Sequence, residues 1–330
     1  MRTGTTLRTA ALGAAVLMMA TACGSGDGQA GGDNPSPEET DLTVVTGVYP
    51  LEWLARQVGG DRVAVTQLTE PGAEPHDLEL TGRQIGTVGE ADIALFVSGL
   101  QPAVDEAVAQ QGGERALDIA DVVELHPAGD DGHDHGGEEH GHEEEDGHEE
   151  EGGHDHGPHD PHFWLDTELM AQAAEALADR MAEAHPAGAD AYRANAEAVV
   201  AELEAIGQEY DDRLSSCERR EFVVGHSAFH YLAERHDLEQ IGISGTDPEG
   251  EPAPSQIAAI ADTVDEHGID TVFTEPLMPA STAETIAAET GADVKVLDPL
   301  EGITEDSPGD DYPSVMRGNL EALAGALGCS

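Results

Sequence analysis

Residues 190–215 read DAYRANAEAVVAELEAIGQEYDDRLS, and this stretch decides the fold. Tyr192, Ala196, Val199, Leu203, Ile206, Tyr210 and Leu214 fall at three- and four-residue steps, which puts one apolar stripe on one face of a helix. At the α-helical rise the helix is about 40 Å long. Placed between two α/β units, it reads as a rigid strut; the plainer alternative is an ordinary packing helix within one domain. A second Ala-rich helix over 167–184 precedes it, and Pro186-Ala187-Gly188 interrupts the two.

Both flanks alternate short β-like runs with helical ones. On the N-terminal side, strands are expected over 42–46, 62–68, 92–97 and 115–119, with helices over 51–58, 81–89 and 102–111. On the C-terminal side, strands are expected over 221–224, 270–274 and 293–297. Helices are expected over 228–236, 255–267 with Ser255 as N-cap, 281–290 and 312–327. Strands alternating with helices predict parallel sheets and an α/β fold class.

The ends set the compartment. Arg2 and Arg8 form a basic n-region, and residues 9–20 form an apolar run too short to span a bilayer, which takes roughly 20 residues. The run ends at Ala20-Thr21-Ala22-Cys23, small residues before a cysteine as in a bacterial lipobox, with Ala20 where Leu is usual. Residues 1–22 are expected to be a signal peptide, Cys23 a lipidated anchor and 23–41 a disordered stalk. The alternative is a plain secretory leader cleaved nearby. Two cysteines remain, Cys217 and Cys329, and an even pair in an oxidising compartment points to a disulfide rather than a metal site.

The formal charge is −54 and Lys295 is the single lysine, so nucleic acid is excluded as a partner for want of a basic patch. Most of the acidity reads as a salt-adapted surface. The tract from Asp130 to Asp160 is different: it holds eight histidines and fourteen acids with no Lys or Arg. Such a composition marks metal binding by imidazole, and its charge and glycines predict disorder.

Beyond the tract, four potential ligands sit where strands should end. His76 follows a turn-rich loop, His162 lies in Asp160-Pro161-His162, His226 closes Phe222-Val223-Val224-Gly225, and Asp298 closes Val294-Lys295-Val296-Leu297. Ligands of open α/β sheets bind beyond the carboxyl ends of the strands, so these four can meet in one cleft. No local zinc motif of the CxxC or HExxH kind accompanies them. Singly, each is as well read as a structural or solvent-facing side chain.

The ordered set Pro75-His76-Asp77-Leu78-Glu79, Asp160-Pro161-His162-Phe163-Trp164-Leu165-Asp166, Val224-Gly225-His226-Ser227-Ala228-Phe229, Thr274-Glu275-Pro276 and Leu297-Asp298-Pro299-Leu300 resembles the zinc/manganese substrate-binding lipoproteins of metal ABC importers. The resemblance runs from about Leu42 to Cys329. It implies two α/β lobes with parallel sheets, joined by a long rigid helix, with the metal in the cleft between them. The corresponding divisions are an N-terminal lobe over 42–186 carrying the His/acid-rich loop 127–159, a linking helix over 187–216 and a C-terminal lobe over 217–330.

It implies His76, His162, His226 and Asp298 as metal ligands, with Glu74, Glu79 or water as alternatives in the fourth place. Manganese-type members carry Glu where this chain has His226, and three imidazoles suit tetrahedral Zn²⁺. His230 stands where relatives carry a small residue and reads as a neighbour of the site. Glu275 reads as an acceptor orienting an imidazole. Cys217 and Cys329 resemble the C-lobe disulfide of zinc-type members. The implied function is capture of extracytoplasmic Zn²⁺ as cargo, by a lipid-anchored monomer, and delivery to a membrane permease with its ATPase. The alternatives are another divalent metal, an exported zinc buffer or adhesin, and, least favoured, a zinc hydrolase.

Overall fold

Two four-stranded parallel sheets of the same strand order carry the fold, as seen in a computed structural model that describes residues 40–127, 159–248, 250 and 252–330. The first sheet holds β1 (Leu42–Thr46), β2 (Val63–Gln67), β3 (Ile93–Phe96) and β4 (Ala116–Asp118) in the order β2-β1-β3-β4. The second holds β5 (Glu221–Val224), β6 (Glu239–Gly242), β7 (Thr271–Thr274) and β8 (Asp293–Val296) in the order β6-β5-β7-β8. Every pairing is parallel, so each crossover carries a helix or a long loop.

The helices are α1 (Tyr49–Gly59), α2 (Gly82–Glu90), α3 (Pro102–Gln111), α4 (Thr167–Ala184), α5 (Ala189–Leu214), α6 (His230–Arg235), α7 (Pro254–His267), α8 (Ser281–Thr290) and α9 (Tyr312–Leu327). Local chemistry sets several of their starts. Thr81 and Gln84 make a reciprocal capping box on α2, the Asp166 carboxylate accepts the Glu168 N–H on α4, and Asp311 with Ser314 caps α9. The expected Ser255 cap is not formed. α7 starts one residue earlier, with Ala253 in the cap position and Pro254 in its first turn, where a missing N–H costs nothing.

α5 is the strut. Its buried residues are the seven of the sequence stripe, Tyr192 through Leu214. Its start is tied to the first lobe by Asn195 Nδ2, which donates to the Val58 carbonyl at 3.0 Å. Its end is tied to the second by Tyr210, whose hydroxyl donates to the Met316 carbonyl on α9 at 2.6 Å. One continuous apolar core runs from Leu42 and Val65 through Met170 and Leu203 to Phe222 and Leu323, so the two sheets share a packed interior. Close-packed interiors resist continuous deformation. Cys217, just past α5, is joined by a disulfide to Cys329, just past α9.

β6 was not anticipated from the sequence. Glu239-Gln240-Ile241-Gly242 has no apolar alternation, and the buried Gln240 earns its place by accepting the Phe229 N–H at 2.9 Å. The leader, Cys23, the stalk up to residue 39 and loop residues 128–158 lie outside the described residues; Pro127 and His159 pair in an antiparallel bridge. Among the described residues no helix is long and apolar enough to cross a membrane.

Candidate metal centre

The order reversal in the second sheet, between β5 and β7, opens a crevice at the carboxyl ends of those strands. His226 stands two residues beyond β5, and Glu275 immediately follows β7. Glu275 receives the His226 backbone N–H on Oε1 at 2.8 Å and lies 2.6 Å from its Nδ1 through Oε2. A carboxylate facing Nδ1 keeps a proton there and turns Nε2 into the cleft, where it becomes a metal donor once it sheds its own proton. Gly225 makes this approach possible, because a Cβ at that position would sit 2.5 Å from Glu275 Oε1.

His162 is held in the same way from the other side. The Asp160 Oδ1 accepts the His162 backbone N–H at 3.0 Å and lies 2.6 Å from its Nδ1. His76 comes from the loop after β2. Glu74 fixes that loop by accepting the N–H of His76 at 3.0 Å and of Asp77 at 3.1 Å. Gln101 adds donation to the Pro75 carbonyl and the Thr69 hydroxyl.

The three rings converge on Glu301. Its Oε1 lies 3.1 Å from His76 Nε2, 3.1 Å from His162 Nε2 and 3.3 Å from His226 Nε2. The four are 4%, 0%, 0% and 3% exposed for His76, His162, His226 and Glu301, so the donors are shielded from bulk water. Their ligand atoms all lie within 4.8 Å of one another. A cavity of about 430 Å³, lined by Glu74 from one lobe and by Gly225, Glu275, Leu277 and Met278 from the other, lies beside them.

The structure therefore brings His76, His162 and His226 together, and places Glu301 with them in the position expected for Asp298. Asp298 is 1% exposed and lies outside that group. Its Oδ1 accepts the Leu300 N–H at 2.8 Å, and its peptide is clamped by Asn319, which accepts from Asp298 N at 2.9 Å and donates to Asp298 O at 2.7 Å. Leu300 takes φ +63, a left-handed conformation uncommon for a branched side chain, and the next residue is Glu301. Asp298 thus holds the turn that aims Glu301. Trp164 reinforces it by donating from Nε1 to the Pro299 carbonyl at 2.8 Å.

Charge follows geometry. For His226, burial pulls the pKa down, but the Glu275 and Glu301 carboxylates outweigh it and hold it well above the ordinary 6.5. His162 is likewise raised: burial lowers it, and Asp160 and Glu301 more than compensate. Burial pushes Glu301 up, yet the surrounding imidazoles hold it well below the ordinary 4.5. Asp298 moves the other way, to about 6, chiefly because burial disfavours its charge.

Sequence reasoning missed two of these residues. Glu301 lies only three positions past Asp298, but no glycine announced the left-handed turn between them. Asp160 was hidden among the acids of the loop, although its place two residues before His162 was a usable signal. Glu74 and Glu79, weighed as fourth donors, also fall outside the four-residue group; Glu74 caps the His76 loop instead. His230 points elsewhere, toward His126, with ring centroids 4.9 Å apart.

Fold and site together define a two-lobed protein, joined by a long helix, with a buried three-histidine, one-carboxylate donor set between the lobes. Residues 44–326 match the family model described as zinc-uptake complex component A, periplasmic, and the chain belongs to that family. It is 32% identical over 288 residues to the zinc-binding protein AdcA of Streptococcus pyogenes serotype M3, covering 86% of this chain and 56% of AdcA. The chain thus spans about half the length of the AdcA relatives it matches. It is 28% identical over 320 residues to the high-affinity zinc uptake system protein ZnuA of Bacillus subtilis, covering 95% of each. The solved structure of the laminin-binding protein Lmb of Streptococcus agalactiae, described as an adhesin with metal-transporting activity, superposes with a TM-score of 0.72 at 28% identity, covering 87% of this chain and 99% of Lmb.

Proposed function

We propose that this chain is an extracytoplasmic carrier that captures Zn²⁺ as cargo between its lobes and delivers it to the permease and ATPase of a metal ABC importer. The observation that carries the reading is the convergence of three Nε2 atoms on one buried carboxylate oxygen at 3.1–3.3 Å, with two of the rings oriented from behind by carboxylates. Three imidazoles and one carboxylate match the tetrahedral N/O preference of zinc; a manganese site would carry more oxygen. The ligands in this reading are His76, His162, His226 and Glu301, with Asp298 as the residue that positions Glu301. A filled fourth place suits capture better than turnover, so the chain is a binding protein and not an enzyme.

In the same reading, residues 42–186 and 217–330 are the lobes and 187–216 the helix between them. The protein works as a monomer tethered by lipid on Cys23, and the His-rich loop collects zinc weakly. A second role in adhesion is favoured by the likeness to Lmb and is compatible with the first.

The test is a competitive Zn²⁺ titration of the wild type, Glu301→Gln and Asp298→Asn. One tight equivalent is expected in the wild type. Asp298→Asn keeps an acceptor for the Leu300 N–H and should retain that equivalent within about tenfold, whereas Glu301→Gln should weaken it by more than about 100-fold, or about 2.7 kcal/mol. The opposite ranking would restore Asp298 as the ligand, and unchanged affinity in His226→Ala would overturn the site.

A further inference from the structure

A second cluster of metal-ligating side chains stands apart from the buried four: His126, His230 and Glu234, whose ligand atoms all lie within 4.8 Å of one another. His230 and Glu234 are one turn apart on α6 and share a face. His126 reaches them from the segment just before the His-rich loop, with its Nε2 2.8 Å from Glu234 Oε2. We propose that these three residues form a second, solvent-facing site for a divalent transition cation of the zinc class. The inference does not depend on which metal the buried cluster carries.

The donor chemistry is right for such an ion. Two imidazoles and a carboxylate are the ligand set of an open zinc site, in which water fills the remaining position. A tetrahedral ion with ligands at about 2.0–2.1 Å needs its donor atoms about 3.3 Å apart. The 2.8 Å contact must open slightly and the other separations, all within 4.8 Å, must settle near the same value, which rotation of the partly exposed His230 and Glu234 side chains provides.

The backbone beneath His126 is already fixed. Its N–H donates to the Tyr231 hydroxyl at 2.9 Å, and its carbonyl accepts the Asp160 N–H at 2.8 Å. Tyr231 in turn donates to the Asp160 carbonyl at 2.6 Å. Ligands on locked backbone lose little entropy on binding. Glu124 and Asp166 line the shallow cavity that takes in His126 and Glu234 and add negative field, while Arg235 beside them is committed to Asp166 and Glu168.

The exposure of the donors sets the behaviour: side-chain exposures of 32% for His126 and 60% for Glu234 mean a wet site, weaker and faster to exchange than the buried one. It lies at the base of the loop, beside the Pro127–His159 bridge.

The experiment is diethyl pyrocarbonate footprinting of the full chain, read histidine by histidine by peptide mass spectrometry, as Zn²⁺ is added beyond the first tight equivalent. His126 and His230 should become protected together, at one midpoint, above the Zn²⁺ level that fills the buried cluster. Glu234→Gln should raise that shared midpoint by about tenfold or more, with the first equivalent unchanged as a check on folding. If His126 and His230 keep their full reactivity while the loop histidines are protected, or if Glu234→Gln leaves their midpoint where it was, the site does not exist.

Discussion

Replacing Glu275 by Gln isolates what holds an imidazole ready for a metal. In the wild type the two oxygens of Glu275 serve two donors of one residue, the His226 N–H at 2.8 Å and Nδ1–H at 2.6 Å. A glutamine has a single oxygen. If that oxygen keeps the backbone N–H, the amide NH₂ faces Nδ1, and the ring escapes the clash by giving up its Nδ1 proton and keeping the one on Nε2, which Glu301 accepts at 3.3 Å. The metal-free protein is then nearly satisfied and loses little stability.

A metal at Nε2 reverses this. The proton must return to Nδ1, against an NH₂ group, and one buried donor is left unmet at a cost of about 1–3 kcal/mol. Since 1.4 kcal/mol is a factor of ten, the expected loss is about 10–100-fold in Zn²⁺ affinity, the range typical of groups that orient metal-bound histidines. Competition with a chromophoric chelator near neutral pH measures it, alongside thermal melts without metal. An affinity within about threefold of wild type, under about 0.7 kcal/mol, would show that Glu275 does not set the ring's tautomer. A large drop in metal-free melting temperature would show that its role is structural.

The same charges make metal uptake a proton exchange. His162 and His226 have raised pKa values, so their contribution to metal-free stability is full below 6.5 and fades as pH rises through their folded values; Glu301 is depressed, so its share is full above 4.5 and fades as pH falls through its folded value. Metal-free stability should therefore be greatest between those limits. Zn²⁺ affinity should climb with pH as the imidazoles shed their protons, and binding heats should vary with the ionisation enthalpy of the buffer; buffer-independent heats would rule this out. Asn319→Ala should destabilise the fold by about 2–4 kcal/mol, since it strands the backbone N–H and C=O of buried Asp298; chemical denaturation showing a loss below about 1 kcal/mol would mean the Asp298 turn holds without its clamp.

The strut was legible because an amphipathic helix writes its buried face at a fixed period, and all seven stripe residues are buried. Seven of the eight strands among the described residues could be read from apolar runs bounded by turns. β6 could not, since its burial depends on a hydrogen-bonded Gln240 rather than on hydrophobicity. The three histidines whose rings the fold gathers stood out through the ordered motifs around them, although only His226 closely follows a strand. The carboxylate was not, because the choice between Asp298 and Glu301 rests on one backbone dihedral at Leu300, and leucine gives no hint of a left-handed turn. Long-range partners such as Asn319 and Trp164 are twenty or more residues away from the turn they secure, beyond the reach of any local pattern.

The clasp at the loop's base has an engineering corollary. Pro127 meets His159 in a bridge, and Tyr231 bonds both His126 and Asp160, so the two chain ends keep a fixed spacing however many residues run between them. Doubling the length of a flexible insert costs only about 0.6 kcal/mol in closure entropy. That segment is thus a natural graft point: a reporter peptide or fluorescent module can replace the histidine tract there, while Asp160 continues to hold His162 in register.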